Sequence, residues 1–131
     1  MSKSEESVFN AAREVRLSAY APYSRFAVGA ALLSPGGRLF TGCNVENISF
    51  GLTICAERVA LGTAISAGVT EFSLLAIVSD SEEPVVPCGA CRQVLAEFAP
   101  VLRVVSSNLG GQTAEFSLEA LLPRPTQGIL K

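Results

Sequence analysis

Apolar residues recur at helical spacing at Val8, Ala11, Ala12, Val15 and Ala19, which predicts an amphipathic helix over residues 4–19. Ser4, Glu5 and Glu6 suit its N-terminus, and Pro22 ends it. The pattern then becomes continuous. Residues 26–33 are an unbroken apolar run, as expected of a strand buried on both faces. Pro35-Gly36-Gly37 predicts a hairpin turn into a second strand over 38–46. On that strand Phe40, Gly42, Asn44 and Glu46 share one face, because side chains alternate. A loop over 47–53 leads to a helix over 55–67, with Val59, Ala60, Thr63 and Ala64 packed and Gly68 just past its end.

The second half repeats these periods. Residues 72–78 predict a buried strand, 79–86 a polar loop, and 88–98 a helix with an apolar stripe of Val94, Leu95 and Phe98. Strands follow over 101–106 and 113–116, joined by Asn108-Leu109-Gly110-Gly111. Ser117 caps a last short helix through Leu121, which Pro123 stops. The order α-β-β-α-β-α-β-β-α argues for an α/β fold in which helices sandwich a mixed sheet.

Length, 131 residues, points to a single domain spanning 1–131. Composition adds a burial problem. Hydrophobic residues make up 49% and charged residues only 17%, with a mean hydropathy of +0.40. A small domain cannot hide so much apolar surface alone, so association between subunits is expected. The net charge of −2 and pI near 5.1 come without any basic cluster, which argues against a nucleic-acid partner. No apolar run reaches membrane-spanning length, and the polar, acidic start does not read as a signal peptide. A cytoplasmic protein with reduced cysteines is the expectation.

The chain contains no histidine. Ser-His-Asp and Cys-His nucleophiles, His metal ligands and His acid–base catalysis are therefore excluded. What remains centres on Cys55-Ala56-Glu57 and Pro87-Cys88-Gly89-Ala90-Cys91. Cys88 and Cys91 lie one helical turn apart, and Cys55 approaches from the other helix. Both segments fall at predicted helix N-termini, where free N–H groups and the positive dipole end favour thiolate. Three thiolates can hold one Zn²⁺ and leave its fourth position open, which is the mark of a catalytic site. Glu57 sits two residues past a ligand and can act beside the metal as general acid and base. Thiolates from three cysteines over-compensate a divalent ion. Arg58, and less directly Arg92, stand next to ligands in sequence and can donate to the sulfurs.

Duller readings exist. Cys88-Gly89-Ala90-Cys91 alone could be a redox pair, but that leaves Cys55-Ala56-Glu57 unexplained. A closed zinc site could use all four cysteines. Cys43, however, points away from Asn44 on its strand and reads as an apolar filler.

Four motifs together carry a family resemblance: Ala21-Pro22-Tyr23-Ser24 with Phe26 and Val28-Gly29-Ala30-Ala31; Gly42-Cys43-Asn44-Val45-Glu46-Asn47; Cys55-Ala56-Glu57-Arg58; and Pro87-Cys88-Gly89-Ala90-Cys91-Arg92-Gln93. In order and spacing over roughly residues 20–122, the chain resembles the small, homotetrameric, zinc-dependent cytidine deaminases. The resemblance implies a five-stranded mixed sheet between helices, in three layers. It implies hydrolytic deamination of cytidine and 2′-deoxycytidine, with one Zn²⁺ per subunit on Cys55, Cys88 and Cys91. Glu57 would move protons from water to N3 of the base and then to the leaving amine. Asn44 and Glu46 would hold the ribose hydroxyls, Phe26 would pack on the nucleoside, and the Ala56 backbone would meet the base. Tyr23 would lie near a subunit contact, with sites close to subunit interfaces. Deamination of another aminopyrimidine nucleoside, or of an antibiotic analogue, is the nearest alternative. A non-enzymatic zinc or redox module is a more distant one. One feature departs from the family. Many members carry an aromatic residue soon after a Leu-Leu-Pro, but here Leu121-Leu122-Pro123 runs into Arg124-Pro125-Thr126 with no aromatic to Lys131.

Overall fold

A computed structural model describes residues 2–126. The element order is the one read from the periodicity. Helix α1 (Lys3–Arg16) leads to strands β1 (Val28–Leu33) and β2 (Leu39–Cys43), a 3₁₀ turn over Phe50–Leu52, and helix α2 (Ala56–Ser66). Strand β3 (Leu74–Ser79), helix α3 (Gly89–Ala96), strands β4 (Arg103–Asn108) and β5 (Thr113–Ser117), and helix α4 (Leu118–Leu121) follow. The strands form one five-stranded sheet in the order β2-β1-β3-β4-β5. Only β3 and β4 pair in parallel, with α3 as their crossover. β1 runs antiparallel to both β2 and β3, so β2 and β3 point the same way. Helices α2 and α3 each follow one of those two strands and therefore start at the same edge of the sheet.

Two cores make the three layers. On one face Val8, Phe9 and Ala12 of α1 pack on Ala31, Leu74, Ala76, Val78 and Val105. On the other, α2 and α3 cover Ala30, Leu32, Leu75, Ile77 and Val104. Leu32, Leu75, Ile77 and Leu95 are fully buried. Each such side chain stabilises the fold by about 1.5–3 kcal/mol relative to exposure.

Several element ends differ from the sequence expectations, each for a visible reason. The N-cap of α1 is Ser2, whose hydroxyl accepts from the Glu5 amide, rather than Ser4. The helix stops at Arg16, well short of Pro22. Tyr20 must be extended there, because its amide donates to the Asn44 carbonyl and its own carbonyl accepts from Glu46 N–H. β2 ends at Cys43, so Asn44 and Glu46 lie just beyond the strand. Thr63 is exposed rather than packed, and its hydroxyl bonds back to the Val59 carbonyl. Of the expected stripe on α3, Leu95 is buried while Val94 and Phe98 remain exposed. Cys43 is only partly buried.

Two glycines fix how closely the helices lie on the sheet. A Cβ at Gly29 would stand 1.9 Å from the Ala12 carbonyl oxygen of α1. A Cβ at Gly42 would stand 2.3 Å from the Ala60 nitrogen and 2.7 Å from the Ala56 oxygen of α2. Gly42 thus seats the first turns of α2 on β2. Gly42→Ala is expected to destabilise the protein by about 1–3 kcal/mol, because rigid backbone cannot give way. Gly62→Ala, in the open on the same helix, is expected to be neutral or stabilising by up to about 1 kcal/mol. Chemical denaturation of the two variants checks the contrast.

Candidate metal centre and catalytic site

Both cysteine segments form helix starts. Cys55 is the N-cap of α2 and Cys88 the N-cap of α3, each in extended backbone. Cys55 supplies its carbonyl to the amides of Arg58 and Val59 and makes no side-chain cap, which leaves the sulfur free. The Cys88 sulfur accepts from the Cys91 amide at 3.4 Å. Pro87 precedes it, fully buried.

The three sulfurs converge. Cys55 Sγ lies 3.9 Å from Cys88 Sγ, and Cys88 Sγ lies 3.4 Å from Cys91 Sγ. All three lie within 4.8 Å of one another. Sulfurs bound at about 2.3 Å around a tetrahedral ion stand about 3.8 Å apart. The donor set therefore suits one zinc ion in both chemistry and spacing. Cys43 is not part of the cluster.

Charge is tuned by contact. The hydrogen bond from Cys91, followed by those from Arg58 and Cys88, holds the Cys55 thiol down to about 5, against burial that pushes it up. The Cys91 thiol is pushed far up by its hydrogen bond to Cys55 and by burial. Arg58 Nη2 lies 3.7 Å from Cys55 Sγ. Its Nε is buried without a hydrogen-bond partner. Hydrogen bonds to Cys55 and Cys91 strengthen its charge.

Glu57 lies one residue into α2 and is 6% exposed. Burial raises its pKa above the usual carboxyl range, and the negative charge at Cys55 adds to that. A carboxyl so placed can hold a proton where a free one would lose it, which suits a group that both takes and gives protons.

Arg92 is not where the sequence suggested. Its Nε donates to the Pro87 carbonyl at 2.7 Å and its Nη1 to the Leu121 carbonyl at 3.1 Å. It clasps the Cys88 segment to the end of α4 instead of serving the sulfurs. Gln93 adds a bond to the Pro125 carbonyl.

The stretch that carries Asn44 and Glu46 is tied to Ile54, the residue before Cys55. Val45 and Ile54 pair as an isolated antiparallel bridge, which brings the Asn44–Glu46 stretch against the start of α2. Ala56 is wholly buried there. Asn44 is 8% exposed. Its Oδ1 accepts from the Val28 amide and its Nδ2 donates to the Phe26 carbonyl. Phe26 itself is partly exposed. Glu46 Oε1 accepts from the amides of Tyr23 and Ser24, and Oε2 accepts from the Ser24 hydroxyl. The Ser24 hydroxyl bond, more than any other influence, lowers the Glu46 pKa. Tyr23, Ser24, Glu46, Phe50 and Thr53 line a cleft of about 350 Å³. Ser24 stands within a motif in the sequence, and nothing in local spacing marks it as the partner of Glu46, 22 residues on.

Residues 2–107 match the family described as the cytidine and deoxycytidylate deaminase zinc-binding region. The chain belongs to this deaminase family. A cytidine deaminase of Sporosarcina psychrophila is 48% identical over 119 residues, covering 90% of this chain and 88% of that protein. One of Halalkalibacterium halodurans is 50% identical over 111 residues, covering 84% of each. The crystal structure of a cytidine deaminase from Burkholderia pseudomallei superposes with a TM-score of 0.88 at 47% identity, covering 95% of this chain and 98% of that one. The zinc-binding deaminase fold is thus shared along nearly the whole described chain.

Arg58→Ala is expected to weaken zinc retention roughly 10–100-fold, the range typical when a group bonded to metal ligands is lost. Chelator competition on the zinc-loaded protein measures it.

Proposed function

We propose that residues 1–131 form a single domain that deaminates cytidine and 2′-deoxycytidine to uridine and 2′-deoxyuridine with release of ammonia. The observation that carries this reading is the convergence of Cys55, Cys88 and Cys91 beside a buried carboxyl of raised pKa, within a deaminase fold. Cys55, Cys88 and Cys91 would hold one zinc ion. Zinc supplies the Lewis acidity that makes water a nucleophile near neutral pH. Glu57 is placed to take a proton from the attacking water and carry it to N3 of the cytosine ring. As the water oxygen adds at C4, Glu57 gives that proton to N3; it then takes the remaining proton from the new C4 hydroxyl and gives it to N4, so that the C4–N4 bond breaks, ammonia leaves and a C4 carbonyl remains. The Ala56 backbone faces the base. Phe26 packs against the nucleoside, and Asn44 and Glu46 take the sugar hydroxyls. Arg58 offsets the thiolate charge.

A homotetramer with sites near its interfaces fits an apolar band around the site. Ile48 is 80% exposed, Phe50 72% and Leu52 66%, and Tyr20, Tyr23 and Val45 continue the band. Tyr23 and Phe50 meet edge to face at 5.8 Å within it. A second copy of the chain is the natural cover for such a patch. Among the described residues no helix is long and apolar enough to cross a membrane. A cytoplasmic role in pyrimidine salvage, on free nucleosides and without a nucleic-acid partner, completes this reading, supported by a net charge of −2 and a pI near 5.1. The segment after Thr126, which lacks the family's aromatic, lies outside the described residues.

Glu57→Gln decides the mechanism. Ammonia release from cytidine is expected to fall by at least about 10²–10⁴-fold, the usual contribution of a general acid–base group. A native mass spectrum of the same variant is expected to show four chains with four zinc ions, so that the loss is traced to proton transfer. Turnover retained in the zinc-loaded variant overturns the role of Glu57.

A further inference from the structure

Glu46 is held from three sides before any ligand arrives. A carboxylate offers about four acceptor positions. The Tyr23 and Ser24 amides fill Oε1 at 3.0 and 3.1 Å, and the Ser24 hydroxyl takes one position on Oε2. One position on Oε2 is left by these bonds, and Ser24 and Glu46 both line the cleft. The direction of the Ser24 proton is also settled. Its oxygen accepts from the Phe26 amide at 3.0 Å, and Glu46, ionised, can only accept. The single hydroxyl proton therefore goes to Glu46. Ser24 is thus the node between two chain segments. Through the Phe26 backbone it connects to Asn44, whose Nδ2 donates to the Phe26 carbonyl at 2.8 Å.

We propose that Ser24 is a positioning residue for the sugar: by fixing the carboxylate of Glu46 it leaves one acceptor aimed for a ribose hydroxyl, and so sets the preference for nucleosides that carry hydroxyls. This rests on the reading of Glu46 as a sugar contact. A preorganised acceptor contributes more to binding than one that must be ordered by the ligand. Loss of a hydrogen bond to a charged group typically costs tenfold or more in affinity. Ser24 makes no contact with the sulfur cluster or with Glu57 in its hydrogen bonds, so its influence is expected in binding and not in the chemical step.

The test compares wild type with Ser24→Ala, Ser24→Thr and Glu46→Gln. Cytidine turnover gives KM and kcat. 2′,3′-Dideoxycytidine is read as a competitive inhibitor, which yields a constant whether or not it reacts. Ser24→Ala is expected to raise the cytidine KM roughly tenfold with kcat held within about twofold, while the dideoxycytidine constant moves less than about twofold. Ser24→Thr keeps the hydroxyl and restores the cytidine KM. Equal losses on both compounds, or failure of threonine to rescue, indicate a merely structural serine and overturn the proposal. If Glu46→Gln removes the preference for cytidine and Ser24→Ala does not, the proposal fails while the Glu46 reading stands. If Glu46→Gln leaves the preference unchanged, the Glu46 reading fails and takes the Ser24 proposal with it.

Discussion

Two helices must begin within a few ångströms of each other, and each begins on a cysteine. This constraint organises the molecule. Helix starts carry unsatisfied amides and a positive dipole end, so they lower the cost of thiolate. Placing both starts at one sheet edge requires β2 and β3 to run the same way, which β1 allows by lying antiparallel between them. It also requires α2 to sit hard against β2, and Gly42 permits that approach because no Cβ stands in the way. Three sulfurs in so small a space concentrate negative charge. Arg58 answers it from the first turn of α2, while burial of Glu57 keeps one carboxyl protonatable nearby.

The sugar side obeys a different logic. Its candidate residues lie just past the end of β2 and are ordered by side-chain bonds to backbone, not by sheet pairing. Asn44 binds the Phe26–Val28 stretch, and Glu46 binds Tyr23 and Ser24. The Val45–Ile54 bridge then ties this whole assembly to the residue before Cys55. The cysteine cluster and the proposed sugar contacts are therefore one connected unit, and the clasp of Arg92 on Pro87 and Leu121 adds α4 to it.

Much of this was legible in the sequence. The order of elements followed from switches between helical and continuous apolar patterns, and the three cysteines that converge as a potential metal site followed from their spacing in a chain without histidine. Element ends were less legible, because tertiary pairing decides them: α1 stops early since Tyr20 is needed beside Val45. Side-chain direction was hardest. Arg58 and Arg92 both adjoin ligands in sequence, yet one donates to a sulfur and the other to carbonyls across the fold. Ser24 stood in a recognisable motif, but its partner Glu46 lies 22 residues on and meets it only once the chain has folded. Local spacing carries no signal for such a bond.

The proposed chemistry turns on an open zinc site made by three thiolates with no fourth protein sulfur. X-ray absorption at the zinc edge on the loaded protein tests it most directly. Three sulfur ligands at about 2.3 Å and one lighter atom at about 2.0–2.1 Å are expected. Four sulfur ligands, with Cys43 recruited as the fourth, or a protein that takes up no zinc, would contradict it.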